Sequence, residues 1–554
     1  MKTKYIDLME KCFEAYTKER IENYITDVKT NGLKEHGFAR LAANLGILIA
    51  NGRKTEHTEL FLDIMDFCCE TMPTVKAAND FTVKEIIFCI LALEEKGLFP
   101  EKIPYWKSCL STVSPYKTYD VIAKTPADIV HNWACFSRVS ELMRGYIGLT
   151  DPAEFIDIQI ATQLRLMDEN GMYRDPNNPM VYDLVPRGLL AIALHFGYNG
   201  KFKDEISERL RRAGLLTLKM QSVTGEIPYG GRSNQFIHNE AHLAIVCEYE
   251  ATRYAKLGDM KTAGKFKNMV KKALETVEYW LTLEPIRHIK NRYPTETGFG
   301  CEGYGYFDKY MITTASFLYA ARLICDDTIP CTEEEPSDRY YTAETSEHFH
   351  KVFLRAGDYF SELDTNADPH YECSGIGRIH KKGSHSAICL SLPGTETPNF
   401  TLSDRQPIDF AIAPGINTED GFKFATKSEN NYKVITRESD PEKGYSTCTF
   451  ECTVDGSVLS TVCTLRESGA EITVTGDGTV ALMLPAFRFD GETETNIASD
   501  ANNLTVKYLT STCRYTTDGT ITNTAKTGEN RNGVYRIFYA RAEKTLTVKI
   551  AISN

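Results

Sequence analysis

Two kinds of hydrophobic periodicity meet at Thr332-Glu333-Glu334-Glu335-Pro336-Ser337-Asp338, an acidic segment that contains a proline. From about residue 5 to residue 325, apolar residues recur with the spacing of amphipathic helices. From about residue 340, apolar and polar residues alternate between glycine, asparagine and aspartate, which is typical of strands. The sequence therefore predicts a toroid domain over residues 1–330, a linker over 331–345 and a β-domain over 346–554.

The helical half contains no repeat of fixed length. Glycines follow apolar-periodic runs at Gly97, Gly197, Gly214 and Gly258, positions typical of helix ends. The usual lengths of helices and connections predict roughly a dozen helices joined by short loops. Because no repeat indicates a solenoid, we expect paired inner and outer helices that close into an (α/α) toroid. The loops that enter the inner helices then line a funnel, and polar chemistry tends to lie in such loops.

The second half carries the signals of an antiparallel β-sandwich. Asp455-Gly456 lies between the alternating runs 447–454 and 458–465, which indicates a hairpin with a primed turn. Every second residue from Leu546 to Ile552 is apolar. The fold class that we expect is therefore an N-terminal (α/α) helical toroid followed by an antiparallel β-sandwich.

Charge and length exclude several classes of partner. The chain has 554 residues and a formal net charge of −12, so neither nucleic acid nor an anionic membrane is expected as its main partner. The N-terminal residues are charged and contain no apolar h-region, and no stretch reaches the roughly 18 apolar residues that span a bilayer. We therefore expect a cytoplasmic protein. Its oligomeric state is left open, with a homo-oligomer as one alternative.

The loop from Gly225 to Glu240 concentrates polar side chains just before a helical pattern. Gly230 and Gly231 allow its backbone to approach a ligand closely. The polar side chains that follow can grip a hydroxyl-rich or carboxylated substrate. The same composition also fits a helix N-cap with solvated neighbours. The candidate site residues of this loop are Arg232, Asn234, Gln235, His238, Asn239 and Glu240.

Two shorter clusters also precede helices in the first half. His131 and Trp133 flank an asparagine, and this combination suits a sugar subsite in which tryptophan supplies a stacking face. Arg174 and Asp175 lie in a loop dense in tyrosine, aspartate and arginine. A helix cap explains the first cluster equally well, and an Arg–Asp pair that only holds its own loop explains the second.

A glycine-rich segment from Tyr293 to Asp308 presents acids and phenols. Alternating glycines indicate a backbone that lies against something bulky, and Glu302, Tyr304, Tyr306 and Asp308 are the candidate site residues there. An ordinary glycine-rich loop is the alternative.

Arg378 and His380 lie in a cationic stretch of the β-domain, between residues 374 and 385. They complete the site if the sandwich packs against the funnel. A charged surface turn is the equally supported alternative.

These clusters support hydrolysis of a glycosidic bond. Hydrolysis needs an acid for the leaving oxygen and a second carboxylate as base or nucleophile. We expect Glu240 and Glu302 to be this pair, with Glu226 and Asp308 in reserve. Arg232 would then hold a substrate carboxylate by a bidentate contact.

The same clusters also support eliminative cleavage beside a uronate. Elimination needs a neutralised carboxyl group and a tyrosine or histidine that moves the α-proton, and Asn234, His238 and Tyr304 can supply these groups. A third hypothesis is a sugar-binding protein without turnover, which the gathered acids and phenols make less favoured. Cofactors are not expected. Metal is not expected either, since His238 and His242 lie four residues apart without the HExxH pattern.

Four of these motifs resemble the toroid carbohydrate-active enzymes. They are His131-Asn132-Trp133, Tyr173-Arg174-Asp175, Gly230-Gly231-Arg232-Ser233-Asn234-Gln235 and Gly375-Ile376-Gly377-Arg378-Ile379-His380. Within that group the chain most resembles the bacterial β-glucuronidases of glycoside hydrolase family 154, and more remotely the heparinase II/III polysaccharide lyases. The resemblance implies removal of a terminal uronic acid from an oligosaccharide. The chain lacks the HGHxDxG-like segment that heparinase-type lyases carry at the start of the sandwich, so the hydrolase is the first expectation and the lyase the second.

Overall fold

The first half of the chain is helical in the structure, a computed structural model that describes residues 1–75, 77–120, 132–403 and 406–554. In order along the described residues the helices are α1 (Lys2–Glu14), α2 (Lys18–Asn31), α3 (Gly37–Ala50), α4 (Thr58–Thr71), α5 (Asn79–Lys96), α6 (Ile103–Ser111), α7 (Pro115–Thr118), α8 (Asn132–Tyr146), α9 (Ala153–Leu164), α10 (Leu184–His195), α11 (Lys203–Thr217), α12 (His238–Lys256), α13 (Met260–Leu281), α14 (Phe307–Ile324) and α15 (Pro336–Arg339). None of them is both long and apolar enough to cross a bilayer.

Six of these helices close into a ring. Helix α3 packs on α5, α5 on α8, α8 on α10, α10 on α12, α12 on α14, and α14 returns to α3. Helices α4, α9, α11, α13 and α1 pack in turn against α3, α8, α10, α12 and α14. Every residue of α3 is buried, as expected for a helix with neighbours on all sides. The predicted (α/α) toroid is therefore confirmed.

The inner helices all begin at the same end of the ring. His36, which precedes α3, lies 4.8 Å from the Phe81 ring of α5, and Phe81 lies 4.9 Å from Trp133 of α8. His36 also lies 6.0 Å from Tyr310 of α14, whose ring stacks at 5.5 Å on His238 of α12. Helix N-termini carry partial positive charge and unpaired N–H groups. Their convergence makes this end of the toroid favourable for an anionic ligand.

The second half is an antiparallel sandwich. The first sheet has the order β1 (Tyr340–Glu344), β2 (Lys351–Ala356), β3 (Tyr359–Asp364) and β4 (Gly375–Lys381). The second sheet is built from β5 (Pro414–Thr418), β6 (Gly421–Phe424), β7 (Lys433–Asp440), β8 (Tyr445–Val454), β9 (Ser457–Arg466), β10 (Gly469–Phe489), β11 (Asn496–Ser499), β12 (Asn503–Tyr508), β13 (Ser511–Thr517), β14 (Thr520–Asn530) and β15 (Gly533–Ser553). Its main path runs β11-β12-β13-β15-β10-β9-β8-β7.

One apolar core joins the two sheets, with Leu354 and Ile379 from the first sheet and Leu482 and Ile550 from the second. The hairpin at Asp455-Gly456 connects β8 to β9, and both turn residues have positive φ, as a primed turn requires. The predicted β-sandwich and this hairpin are confirmed.

The passage between the halves is short. Helix α14 ends at Ile324, α15 follows at Pro336, and β1 begins at Tyr340, inside the segment 331–345. The division into domains 1–330 and 346–554 around that segment stays a prediction.

Candidate functional site

The two glycine-rich loops that the sequence singles out lie against each other at the mouth of the toroid. The backbone N–H of Ser233 donates to Oε1 of Glu302 at 3.0 Å, and the hydroxyls of Ser233 and Tyr304 share a hydrogen bond of 2.6 Å. Phe236 and Ile289 form an isolated β-bridge beneath this contact. Residues that lie some seventy positions apart along the chain therefore form one surface.

The path of the first loop depends on two glycines. Gly230 and Gly231 have φ of 135° and 75°, which side chains other than glycine rarely adopt. A Cβ on Gly231 would lie 2.8 Å from Pro179. The Gly231 N–H donates to Oε1 of buried Glu372 at 2.8 Å, and Asn239 donates to the carbonyl of Ser233 at 2.7 Å. The loop is thus fixed from the sandwich on one side and from α12 on the other.

Glu302 is held by a residue of the sandwich. Its Oε2 lies 3.0 Å from Nη2 of Arg531, and both side chains are almost fully buried. Nε of Arg531 also donates to the carbonyl of Gly300 at 2.6 Å, and its guanidinium lies 3.9 Å from the ring centre of Phe400. Arg531 and Phe400 are not indicated by any sequence pattern, because one arginine in a β-turn and one loop phenylalanine have no distinctive spacing.

Half-buried tyrosines surround Arg232. Its guanidinium lies 4.5 Å from the ring centre of Tyr182, and Tyr182 shares a hydrogen bond of 3.2 Å with Ser233. Burial, and then the charge of Glu302, raises the pKa of the Tyr304 phenol above its ordinary value, so Tyr304 remains a proton donor at neutral pH. Tyr371 of the sandwich also lies beside this group, where burial raises its pKa.

Asp175 connects Arg232 to the start of α8. It accepts a hydrogen bond from Arg232. It also accepts two hydrogen bonds from Asn132, one from the backbone N–H at 2.8 Å and one from the side-chain amide at 3.3 Å. Trp133 follows on α8 and packs edge-on against Phe81. The predicted residues Asp175, Trp133 and Arg232 are therefore brought to one end of the toroid. His131 lies outside the described residues.

His238 lies deeper, at the first position of α12. Its ring stacks on Tyr310, and its Nδ1 has no hydrogen-bond partner among the described residues. Burial, and then the charge of Arg40, lowers the pKa of His238 to about 3, so the imidazole is neutral at pH 7. A neutral imidazole can accept a proton when an anion arrives beside it.

Glu240 lies in a closed ion pair. Its carboxylate accepts a hydrogen bond from Lys290, and both side chains are buried. Burial raises the pKa of Glu240 above its ordinary value, and the Lys290 charge opposes that effect. Asn234 and Gln235 also point inward: Asn234 donates to the carbonyl of Pro228, and Gln235 donates to Asn234. With Asn239, these residues support the loop from below.

The remaining predicted residues lie around this centre. Arg378 donates to the carbonyl of Ile227 at 2.9 Å, and His380 bonds the hydroxyl of Ser222 at 2.7 Å, so both hold the glycine-rich loop from strand β4. Nη1 of Arg174 lies within hydrogen-bond distance, 3.2 Å, of Nε2 of His348 in the sandwich. Tyr306 is 65% exposed, and Asp308 pairs with Arg20 of α2. No cluster of three or more metal-binding side chains is found among the described residues.

Comparison with known proteins identifies the fold of this chain but assigns it to no family. No protein-family model and no curated protein matches the chain. The chondroitin AC lyase of Streptomyces coelicolor A3, solved with chondroitin sulphate, matches with a TM-score of 0.52 and 10% identity over 99% of this chain and 79% of that chain. This chain shares the fold of that lyase. The toroid-and-sandwich resemblance expected from the sequence is thereby confirmed.

Two other solved structures are similar over different lengths. Heparinase III matches with a TM-score of 0.47 and 10% identity over 93% of this chain and 77% of that chain. A glycosyl hydrolase of family 88 from Bacteroides vulgatus matches with a TM-score of 0.39 and 14% identity over 58% of this chain and 98% of that chain.

Proposed function

We propose that this protein is a lyase that cleaves oligosaccharides beside a uronic acid by β-elimination. The observation that carries the proposal is the state of the acids around the funnel. Glu302 is paired with Arg531, Asp175 with Arg232, and Glu240 with Lys290. Hydrolysis needs a carboxylic acid and a second carboxylate free to act on either side of the bond. Among the predicted site residues that the structure describes, the Tyr304 phenol and the His238 imidazole have no ion pair, and elimination uses a phenol and an imidazole of this kind.

The side chains divide the work of elimination as follows. Arg232 and the amide of Asn132 bind the uronate carboxylate, which makes the proton on the adjacent carbon more acidic. His238 accepts that proton, and Tyr304 donates its own proton to the leaving glycosidic oxygen. The C–H and C–O bonds break as a carbon–carbon double bond forms, conjugated to the carboxyl group. An anionic substrate raises the basicity of His238, because the nearby negative charge favours imidazolium.

The fold supports the same class of activity. The structure that shares it is named as a chondroitin AC lyase and was solved with chondroitin sulphate, an acidic polysaccharide. The convergent helix N-termini and Arg232 fit an acidic chain better than a neutral one. We therefore propose a uronate-containing oligosaccharide or glycoconjugate as the substrate.

The product distinguishes elimination from hydrolysis. Purified protein is incubated with uronate-containing polysaccharides and oligosaccharides, and both ultraviolet absorbance and new reducing ends are measured. Elimination gives the two signals together, because only it creates a double bond conjugated to the carboxyl group. New reducing ends without absorbance would overturn the lyase proposal and establish the hydrolase.

One observation keeps the β-glucuronidase-type hydrolase as the second candidate. Ser233 connects the Glu302 carboxylate to the Tyr304 hydroxyl: its backbone N–H donates to Glu302, and its hydroxyl shares a hydrogen bond with Tyr304. If the product is saturated, release of an aryl group from an aryl β-glucuronide and its loss in Glu302→Gln will identify Glu302 as a catalytic acid or base.

Replacement of Tyr304 by phenylalanine tests the proposed acid. Tyr304→Phe removes one hydroxyl and keeps the ring, so we expect kcat to fall by about 10²–10⁴, the usual contribution of an acid or base, with KM nearly unchanged. Tyr146→Phe, at the opposite end of α8 and 56% exposed, is the matched control and retains kcat. A wild-type kcat in Tyr304→Phe contradicts the role given to this phenol.

A further inference from the structure

Beneath Arg232 and Tyr304, the floor of the funnel carries a second group of cations. Arg40 lies on the first turn of α3, Lys84 on the second turn of α5, and Lys309 on the first turn of α14. Two carboxylates lie near them: Glu85 binds Arg40 and Lys84, and Glu35 binds Tyr24 and the N–H of Gly37. Three cations therefore face two carboxylates, in addition to the positive ends of the inner helices.

Two donors of this floor, Nη2 of Arg40 and Nε2 of His36, have no hydrogen-bond partner among the residues that the structure describes. Arg40 is 1% exposed; its Nε binds Glu85 and its Nη1 donates to Nδ1 of His36 at 2.9 Å, but its Nη2 binds nothing in the described part of the chain. Because Nδ1 of His36 accepts that bond, the proton of the neutral ring lies on Nε2 and is available to a ligand. Burial, and then the charges of Arg40 and Lys309, holds the pKa of His36 well below its ordinary value. A buried donor without a partner is costly unless a ligand or water binds it.

Lys309 is the most accessible cation of the floor. It is half-buried, its ammonium lies 5.3 Å from the ring centre of Tyr310, and this ammonium has no hydrogen bond or ion pair within the described part of the chain. Burial lowers its pKa, and the charge of Glu35 acts in the opposite direction. An anion beside Tyr310 would lie near Lys309 and near His36, whose ring centre is 6.0 Å from that of Tyr310 and whose Nδ1 binds Arg40.

An aromatic layer closes the toroid below these cations. The rings of Phe81 and Phe136 are 4.3 Å apart, and those of Phe136 and Phe317 are 6.2 Å apart. Arg40 lies 5.2 Å from the ring centre of Phe317, so its guanidinium caps this layer. A substrate group that reaches the floor therefore belongs to the end of a sugar chain, because a chain cannot pass through the ring.

We propose that Arg40, His36 and Lys309 form a second oxyanion subsite, which binds a sulfate ester or a second carboxylate on the terminal sugar of the substrate. The substrate class in this inference rests on the proposed function. The anion-binding chemistry of the subsite follows from its unpartnered donors, which can bind an oxyanion by charge-assisted hydrogen bonds. The enzyme would then favour chain ends that carry two acidic groups over chain ends that carry one.

Direct binding of inorganic anions tests the subsite without any turnover. Sodium sulfate and sodium acetate are titrated by calorimetry into the full-length wild type, Lys309→Gln and Lys256→Gln. Lys256 is exposed at the far end of α12, so its variant removes the same charge away from the floor. We expect Lys309→Gln to bind sulfate about tenfold more weakly, the effect of one charge-assisted hydrogen bond, and Lys256→Gln to bind it like the wild type.

The anion that binds identifies the source of the acidic group. If only the binding of sulfate depends on Lys309, the acidic group is a sulfate ester. If the binding of acetate depends on Lys309 as well, the acidic group is a carboxylate. If neither anion binds the wild type, or if Lys309→Gln and Lys256→Gln bind equally, the subsite does not exist.

Kinetics then separate this inference from the proposed function. Substrates with and without the second acidic group are compared, and Lys309→Gln is expected to raise KM about tenfold only for the doubly acidic one. Binding of sulfate or acetate that depends on Lys309, without elimination on any uronate substrate, refutes the lyase and keeps the subsite. Elimination with equal KM changes for both substrates keeps the lyase and refutes the subsite.

Discussion

At the scale of single residues, Glu372 shows how a buried carboxyl group links the loop to pH. It is 2% exposed and accepts the Gly231 N–H. Burial raises its pKa from 4.5 to about 8, although the charge of Lys351 acts in the opposite direction. The folded protein thus binds a proton that the unfolded chain releases above about pH 4.5. Its contribution to stability is complete below that pH and is lost as the pH rises through about 8.

Replacement of this carboxyl by an amide is expected to flatten the pH dependence of stability. Glu372→Gln keeps an oxygen acceptor for Gly231 but cannot ionise, so its melting temperature should change less than that of the wild type between about pH 5 and 8. Melting is followed by circular dichroism in matched buffers. Glu442→Gln, at an exposed position, should retain the wild-type slope. A Glu372→Gln profile parallel to the wild type would show that Glu372 ionises normally.

At the scale of elements, the sequence predicts the glycine-rich loop but not the residues that hold it. Gly230 and Gly231 are visible as residues that permit positive φ. Pro179 and Glu372 are far away in sequence, and no local pattern predicts that they contact the loop. Glu240 is a carboxylate of the kind that acid catalysis uses, but in the interior of the protein it forms an ion pair with Lys290. Ion pairing between distant segments depends on tertiary packing, so the sequence predicts where polar residues gather better than it predicts their roles.

The conformation of this loop can be tested with two glycines of similar φ. Gly231 and Gly258 have φ of 75° and 82°, but a Cβ would meet Pro179 only at Gly231 and nothing within 4 Å at Gly258. Both alanine variants bear the cost of a left-handed conformation, about 1 kcal/mol. Gly231→Ala should also displace Arg232 and Ser233 and lower kcat/KM at least tenfold, whereas Gly258→Ala should not. Urea unfolding and steady-state kinetics measure the two effects, and equal kcat/KM values would contradict the proposed placement of the loop.

At the scale of the whole molecule, the sandwich contacts the toroid at the end where the glycine-rich loop lies. The change of periodicity near residue 332 correctly predicts both halves. It does not predict their contact, because Arg531 reaches Glu302 across 229 positions and neither residue has a local signal of the other. The predicted residues Arg378 and His380 do lie at the interface, where they bind the backbone or hydroxyls of the loop. The sandwich is thus a support for the glycine-rich loop as well as a separate layer.

A double-mutant cycle on Glu302 and Arg531 measures this coupling. Arg531→Met leaves a buried carboxylate without its partner, so we expect the free energy of unfolding to fall by about 3–5 kcal/mol. Glu302→Gln in the same chain removes that charge and should recover part of the loss, giving a coupling energy of about 0.5–3 kcal/mol. Arg541→Met, exposed on β15, is the control and should leave stability and activity unchanged. Because Glu302 also orients Ser233 and Tyr304, kcat should fall in Arg531→Met under conditions where the protein remains folded. Purely additive stabilities together with a wild-type kcat would mean that the sandwich neither binds nor orders the loop through this pair.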